Sequence, residues 1–179
     1  RGALKSEKEK IPHGEGAYFF PEDEQWYEEE GVKMHRLKSY FGEFKNGKFH
    51  GQGRFKCAGK DAYDYEGEFK NGLFHGKGRK ECQNVLIYEG EFRNDKMHGY
   101  GILYSENFIK HEGEFRNDKK NGKGKTTILK DKGGFKKGTV YEGSYKNDHM
   151  NGYFKITFPW GGTSKGIMKK GKFITKRKK

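Results

Sequence analysis

Residues 65–78 read YEGEFKNGLFHGKG, and 23 residues further on the chain repeats itself as YEGEFRNDKMHGYG. Internal repetition at this period constrains the fold more than any local propensity. A unit this short cannot bury a hydrophobic face alone and must stack against copies of itself. Full copies begin at Tyr40, Tyr65, Tyr88, His111 and Tyr141. A degenerate half-copy, SKGIMKKGKF, starts at Ser164, and a partial copy, HGEGAYFF, begins at His13. Insertions fall between copies, at residues 21–39, which carry an acidic cluster and Trp26, and at residues 128–140, which are basic and contain glycine.

Within a copy, YEGEFK alternates aromatic or glycine with charge, the period of two that marks a strand. Asn-Gly then supplies the strongest local signal for a two-residue hairpin turn. Counting outward from Asn71-Gly72 places Phe69 opposite Phe74, Gly67 opposite Gly76 and Tyr65 opposite Gly78 on one face. The other face receives Glu68 against His75 and Glu66 against Lys77, two favourable cross-strand pairs. The glycines leave room for rings to lie on the backbone, so that aromatic area takes the place of an aliphatic core. The later copies replace Asn-Gly with Asn-Asp at 94–95, 117–118 and 147–148. This pair still accepts left-handed dihedrals but is expected to hold register less firmly. The fold expected is all-β, an elongated, open, single-layer antiparallel sheet of tandem β-hairpins. Residues 1–39 form a partial repeat plus the acidic insertion, 40–163 the array, and 164–179 the half-repeat and a basic tail.

Composition taken alone argues the opposite. Leu, Ile, Val and Phe total 32 of 179 residues and the net charge is +13, which is the signature of disorder. The periodic placement of 26 Phe and Tyr residues overrides it. No window approaches the run of about 18 apolar residues that a membrane-spanning helix requires, so a soluble protein is expected. Cys57 and Cys82 occupy the same slot in successive copies. Equivalent slots lie two strands apart, about 10 Å, which is too far for a disulfide and predicts reduced thiols.

Chemistry-bearing patterns are few. His50, His75 and His98 recur at the repeat period, which spreads them too far apart to share a metal ion. Asn121 and Asn151 in the same slot point instead to hydrogen bonding with the opposite strand. NGKGKTT at 121–127 ends like a phosphate-binding loop, but Lys119 stands where that motif needs glycine, and the segment reads as a strand. No nucleophile elbow or convergent acid–base pair is present. No enzyme activity, cofactor or metal is expected.

The pattern YxGxF-x-N-G/D-x-x-HGxG, five times in phase over residues 40–158, resembles MORN (membrane occupation and recognition nexus) repeats. The resemblance implies arrays of β-hairpins with an aromatic-lined groove. Relatives occur in junctophilins at membrane junctions, plant phosphatidylinositol phosphate kinases, radial-spoke and other ciliary proteins, and the parasite cytoskeleton. They are generally non-catalytic when the repeats stand alone. Some contact acidic phospholipids, and others hold a partner helix or dimerise. His111 for the leading Tyr, Tyr145 for Phe, Asn121 and Asn151 for His, and Phe154 for the last Gly depart from the pattern. They predict a less regular groove towards the C-terminus.

Two candidate surfaces follow. The ring ladder of Tyr40, Phe44, Tyr65, Phe69, Tyr88, Phe92, Phe115, Tyr141 and Tyr145 is a core that also offers an accessible edge to a helix or extended peptide. The basic end, Lys165, Lys169, Lys170, Lys172, Lys176, Arg177, Lys178 and Lys179, suits an anionic partner, or serves only as a solvated guard on an open sheet edge. The function expected is that of a non-catalytic adaptor inside a larger cytoskeletal or ciliary assembly. Binding of acidic phospholipid is the alternative, and a nucleic-acid role is disfavoured. An end-to-end homodimer and a cytoplasmic setting associated with cytoskeleton or cilium are further expectations, with organelle import left open.

Overall fold

Turn chemistry creates the hairpins. In Asn46-Gly47, Asn71-Gly72, Asn94-Asp95, Asn117-Asp118, Asn147-Asp148 and Lys170-Gly171 both central residues have positive φ, between 48° and 88°. This is the mirror-image turn whose twist matches that of the flanking strands. The computed structural model describes residues 13–19, 26–29, 32–35, 38–57, 62–82 and 85–174.

The chain enters through β1 (Gly14–Phe19) and a small separate hairpin, β2 (Trp26–Glu29) with β3 (Val32–His35). Six hairpins follow. They are β4 (Lys38–Lys45) with β5 (Lys48–Cys57), β6 (Tyr63–Lys70) with β7 (Leu73–Cys82), and β8 (Val85–Arg93) with β9 (Lys96–Ser105). Then come β10 (Ile109–Arg116) with β11 (Lys119–Ile128), β12 (Val140–Lys146) with β13 (His149–Thr157), and β14 (Thr163–Lys169) with β15 (Lys172–Ile174). β1 and β4–β15 form one antiparallel sheet of 13 strands in chain order, without a crossover. There is no helix among the described residues. The partial copy supplies β1, which pairs with β4 as a return strand, and the half-copy closes as β14–β15. Within the 128–140 insertion Lys132 and Phe135 form an isolated antiparallel bridge.

The register differs from the one counted outward from the turn. Phe69 does face Phe74, but Gly67 pairs with Gly78 and Glu66 with Arg79, while Tyr65 pairs with Lys80. One residue, Glu68, therefore lies against three, His75, Gly76 and Lys77, in a bulge that recurs in each of the five full copies. In four of the five copies a glutamate fills it. Glu68 turns its carboxylate into the bulge and accepts the Lys77 N–H at 2.8 Å, and Gly76 at φ 54° leaves the space it fills. Glu43, Glu91 and Glu114 do the same for Gln52, Tyr100 and Lys123 at 2.7 to 3.0 Å. These glutamates satisfy backbone donors that the bulge would otherwise leave open.

With that register a row of glycines runs across the sheet from Gly16 to Gly166, interrupted only at Phe154. The leading rings Tyr40, Tyr65, Tyr88 and His111 each lie over two of them. A Cβ on Gly78 would come within 2.6 Å of the Tyr65 ring, so the ring occupies the volume a side chain there would need. Tyr65 stacks on Phe74 with centroids 3.8 Å apart and meets the edges of Phe69 and Phe92 at 5.1 Å. Tyr40 repeats the arrangement with Phe49, Phe44 and Phe69. Each buried ring contributes about 2 kcal/mol from area, with roughly 1 kcal/mol more per edge contact. One layer of rings thus does the work of a second sheet.

The Asn-Asp turns also tie neighbouring hairpins together. Asp95, Asp118 and Asp148 each accept a backbone N–H of the preceding hairpin, from Phe74, Met97 and Lys120 at 2.8 to 2.9 Å. Each also donates its own N–H to the carbonyl of that same residue. Aspartate at this position fixes one hairpin against its neighbour, a constraint that glycine supplies only through the backbone bond, as in Gly72 N–H to Phe49.

Candidate partner-binding surfaces

Eight of the nine ladder residues are buried: Tyr40, Phe44, Tyr65, Phe69, Tyr88, Phe92, Phe115 and Tyr145 are at most 6% exposed. Tyr141 is half-buried, because the neighbouring Phe154 ring lies over Gly143 in its stead and is itself fully buried. The tyrosine hydroxyls complete the core. Tyr65 donates to the Glu68 carbonyl at 2.9 Å, and Tyr40 and Tyr88 make the same bond to Glu43 and Glu91. Burial raises all three phenols, Tyr40 to about 12, so they stay protonated donors. What this face shows to the outside is the fringe carried mainly by the return strands. Phe49, Phe55, Phe74, Met97 and Leu103 are partly buried and packed on the core. That fringe was not separable from the core in the sequence, since both consist of the same residue types.

At the fourth copy the ladder changes character. His111 is buried, with Nδ1 2.8 Å from Thr126 Oγ1, which is 2.7 Å from the Tyr145 hydroxyl. The imidazole is shorter than a phenol, and its Nε2 is buried with no hydrogen-bond partner. Desolvation, with the nearby Lys120 ammonium second, lowers the His111 pKa to about 3, and burial likewise lowers that of Lys120. The apolar core accordingly falls into two clusters, Tyr40 through Phe115 and Tyr145 with Phe154 and Met168.

The opposite face is charged. Arg54, Glu66, Arg79 and Glu89 lie in one cross-strand row, with Glu112, Lys125, Glu142 and Lys155 continuing it beyond Ile102. Arg54 pairs with Glu66 and Lys155 with Glu142. The histidines do not fulfil the hydrogen-bonding role expected of their side chains. Nδ1 of His50, His75 and His98 is buried without a partner, and it is their backbone carbonyls that approach the tyrosine hydroxyls, at 3.3 to 3.4 Å. No group of three or more potential metal ligands exists among the described residues. NGKGKTT lies within strand β11.

At the C-terminal end Lys165, Lys169, Lys170 and Lys172 are exposed on β14, its turn and β15. Lys176, Arg177, Lys178 and Lys179 lie outside the described residues. Apolar side chains are also exposed at both ends of the sheet, Phe19 and Phe41 at one and Ile167, Phe173 and Ile174 at the other.

A comparison with curated proteins returned no match. The family model described as MORN repeat matches at residues 40–61, 65–84, 88–108, 111–128 and 141–163, the five hairpins that carry the bulge. Those matches cover more than half of the chain, which therefore belongs to the MORN-repeat family, a non-enzymatic family whose repeats commonly mediate contacts with proteins or membranes.

Proposed function

We propose that this array is a non-catalytic adaptor that holds a partner protein, as a helix or an extended peptide, along the outer side of its ring layer, inside a larger cytoskeletal or ciliary assembly. The observation that carries the reading is the fringe of partly exposed Phe49, Phe55, Phe74, Met97 and Leu103 on a sheet of one layer. An apolar strip of this kind on a single-layer sheet is what an amphipathic segment docks on. The nine ladder residues then act as the foundation of the site, and the contacts pass to the return strands. A protein partner is favoured over acidic lipid because the strip is apolar, while the basic end contributes only four described lysines.

Crosslinking mass spectrometry on endogenous material identifies the partner, and a double variant tests the surface. Phe55→Glu with Leu103→Glu alters two partly exposed side chains and spares every leading ring. Loss of partner capture with an unchanged β-sheet circular dichroism spectrum is the expected result. Full capture by that folded variant would refute the assignment. Tyr88→Ala with Phe92→Ala serves as the contrast, since it removes foundation and surface together.

A further inference from the structure

The ring layer and the charged face leave one surface unused, the edge formed by the six turns. In every hairpin the residue before the turn pairs with the residue after it, and all but two of these positions, Leu73 and His149, hold Lys or Arg. Through the central hairpins the row runs Lys70, Arg93 with Lys96, Arg116 with Lys119, and Lys146. All six are exposed, and none forms an ion pair among the described residues. The acids closest in sequence are already committed. Asp95, Asp118 and Asp148 hold backbone N–H groups of neighbouring hairpins, and the bulge glutamates hold those of their own. Between the third and fourth hairpins the cations converge on a cleft lined by Arg93, Asn94, Lys96, His98, Arg116 and Asn117, with no carboxylate in its wall. The buried His98 Nδ1 there has no hydrogen-bond partner.

Spacing selects the ligand. Paired strands lie about 4.8 Å apart, so successive turns are about 10 Å apart, and an α-helix returns the same face every seven residues after about 10.5 Å. Sheet twist rotates each hairpin against the last by tens of degrees, so a flat bilayer touches only a few tips at once whereas a slender partner can follow the row. Single-stranded nucleic acid would also follow it, but gains its affinity by stacking on exposed rings, and no Phe, Tyr or Trp occupies a turn-flanking position. We propose that the turn edge is a docking rail for an acidic α-helix that presents Asp or Glu at seven-residue spacing. This is a second binding surface, separate from the ring strip.

Fluorescence anisotropy with the full chain tests it, using a synthetic helical peptide with one glutamate face of heptad period. A peptide of equal composition in shuffled order, a single-stranded oligouridylate, and phosphatidylcholine vesicles containing phosphatidylserine are run beside it. The heptad peptide should bind tightest, and binding should weaken steeply with salt. Arg93→Glu with Arg116→Glu should weaken it about tenfold, whereas Lys130→Glu with Lys137→Glu, an equal charge change in the 128–140 loop, should alter it less than about twofold. Should the reversal fail to fold, Arg93→Gln with Arg116→Gln should still cost about threefold. Phe55→Glu with Leu103→Glu should leave peptide binding intact, which keeps this result independent of the ring strip. Equal binding of the shuffled peptide, tighter binding of RNA or vesicles, or equal losses in the edge and loop variants would overturn the proposal.

Discussion

Single residues show where a sequence of this kind is readable and where it is not. The ladder was legible because Tyr and Phe recur at a fixed offset from glycine. Its near-complete burial was not, because a one-layer sheet by itself leaves rings half exposed. Stacking of Tyr40 and Tyr65 on return-strand rings and edge contacts from the next hairpin close that gap, as at Tyr65 between Phe74 and Phe92. His111 is the exception with a measurable consequence. Its folded-state pKa, about 3, lies below the ordinary value of 6.5, so below pH 6.5 the unfolded chain binds a proton that the folded chain does not. Stability from this group is therefore full above that value and declines as pH falls from about 6.5 towards 3. His111→Tyr restores the ring and hydroxyl used in three other copies and removes the titration. Its melting temperature should fall less between pH 7.5 and 4.5 than that of the unaltered protein, and parallel falls in thermal denaturation would count against the linkage.

Whole hairpins were predictable from Asn-Gly and Asn-Asp, yet the pairing inside them was not. Counting from a turn assumes one residue against one, and nothing in the alternation of YEGEFK announces that Glu68 faces three residues. The signal was nevertheless present as a glutamate three positions after the leading residue, matched by glycine after the histidine slot, in four of the five copies. In the fifth copy Ser144 takes that place, and a Cβ on Gly152 would lie 3.9 Å from it, so the bulge there holds no carboxylate. Asp95 offers the cleaner test of how elements are joined. Asp95→Gly keeps the positive φ and removes only the carboxylate that receives the Phe74 N–H. The cost should be about 1 kcal/mol, less a few tenths recovered from backbone relief. Amide exchange localises it: the Phe74 N–H should lose protection while amides of β4 and β5 keep theirs, and unchanged Phe74 exchange would mean that the aspartate does not link the hairpins.

Across the whole molecule each hairpin touches only its neighbours, so stability is a chain of local interfaces and the weakest one sets how the array opens. The interface at the fourth copy is the weakest by composition. His111 and Lys120 are desolvated without a buried acid between them, and the apolar clusters on either side do not merge. The C-terminal cluster is also the smaller, three buried residues against seven. Burial at roughly 2 kcal/mol per ring makes that difference large against the cost of one broken hairpin interface. The strands β12–β15 should therefore open as a unit below the global unfolding free energy. Hydrogen exchange at increasing denaturant should give them a lower opening free energy than β5–β9. His111→Tyr together with Lys120→Phe, which rebuilds the stacked pair found at Tyr65 and Phe74, should bring the two groups together. A single shared opening energy in the unaltered protein would show that the polar seam transmits cooperativity as well as the rings do.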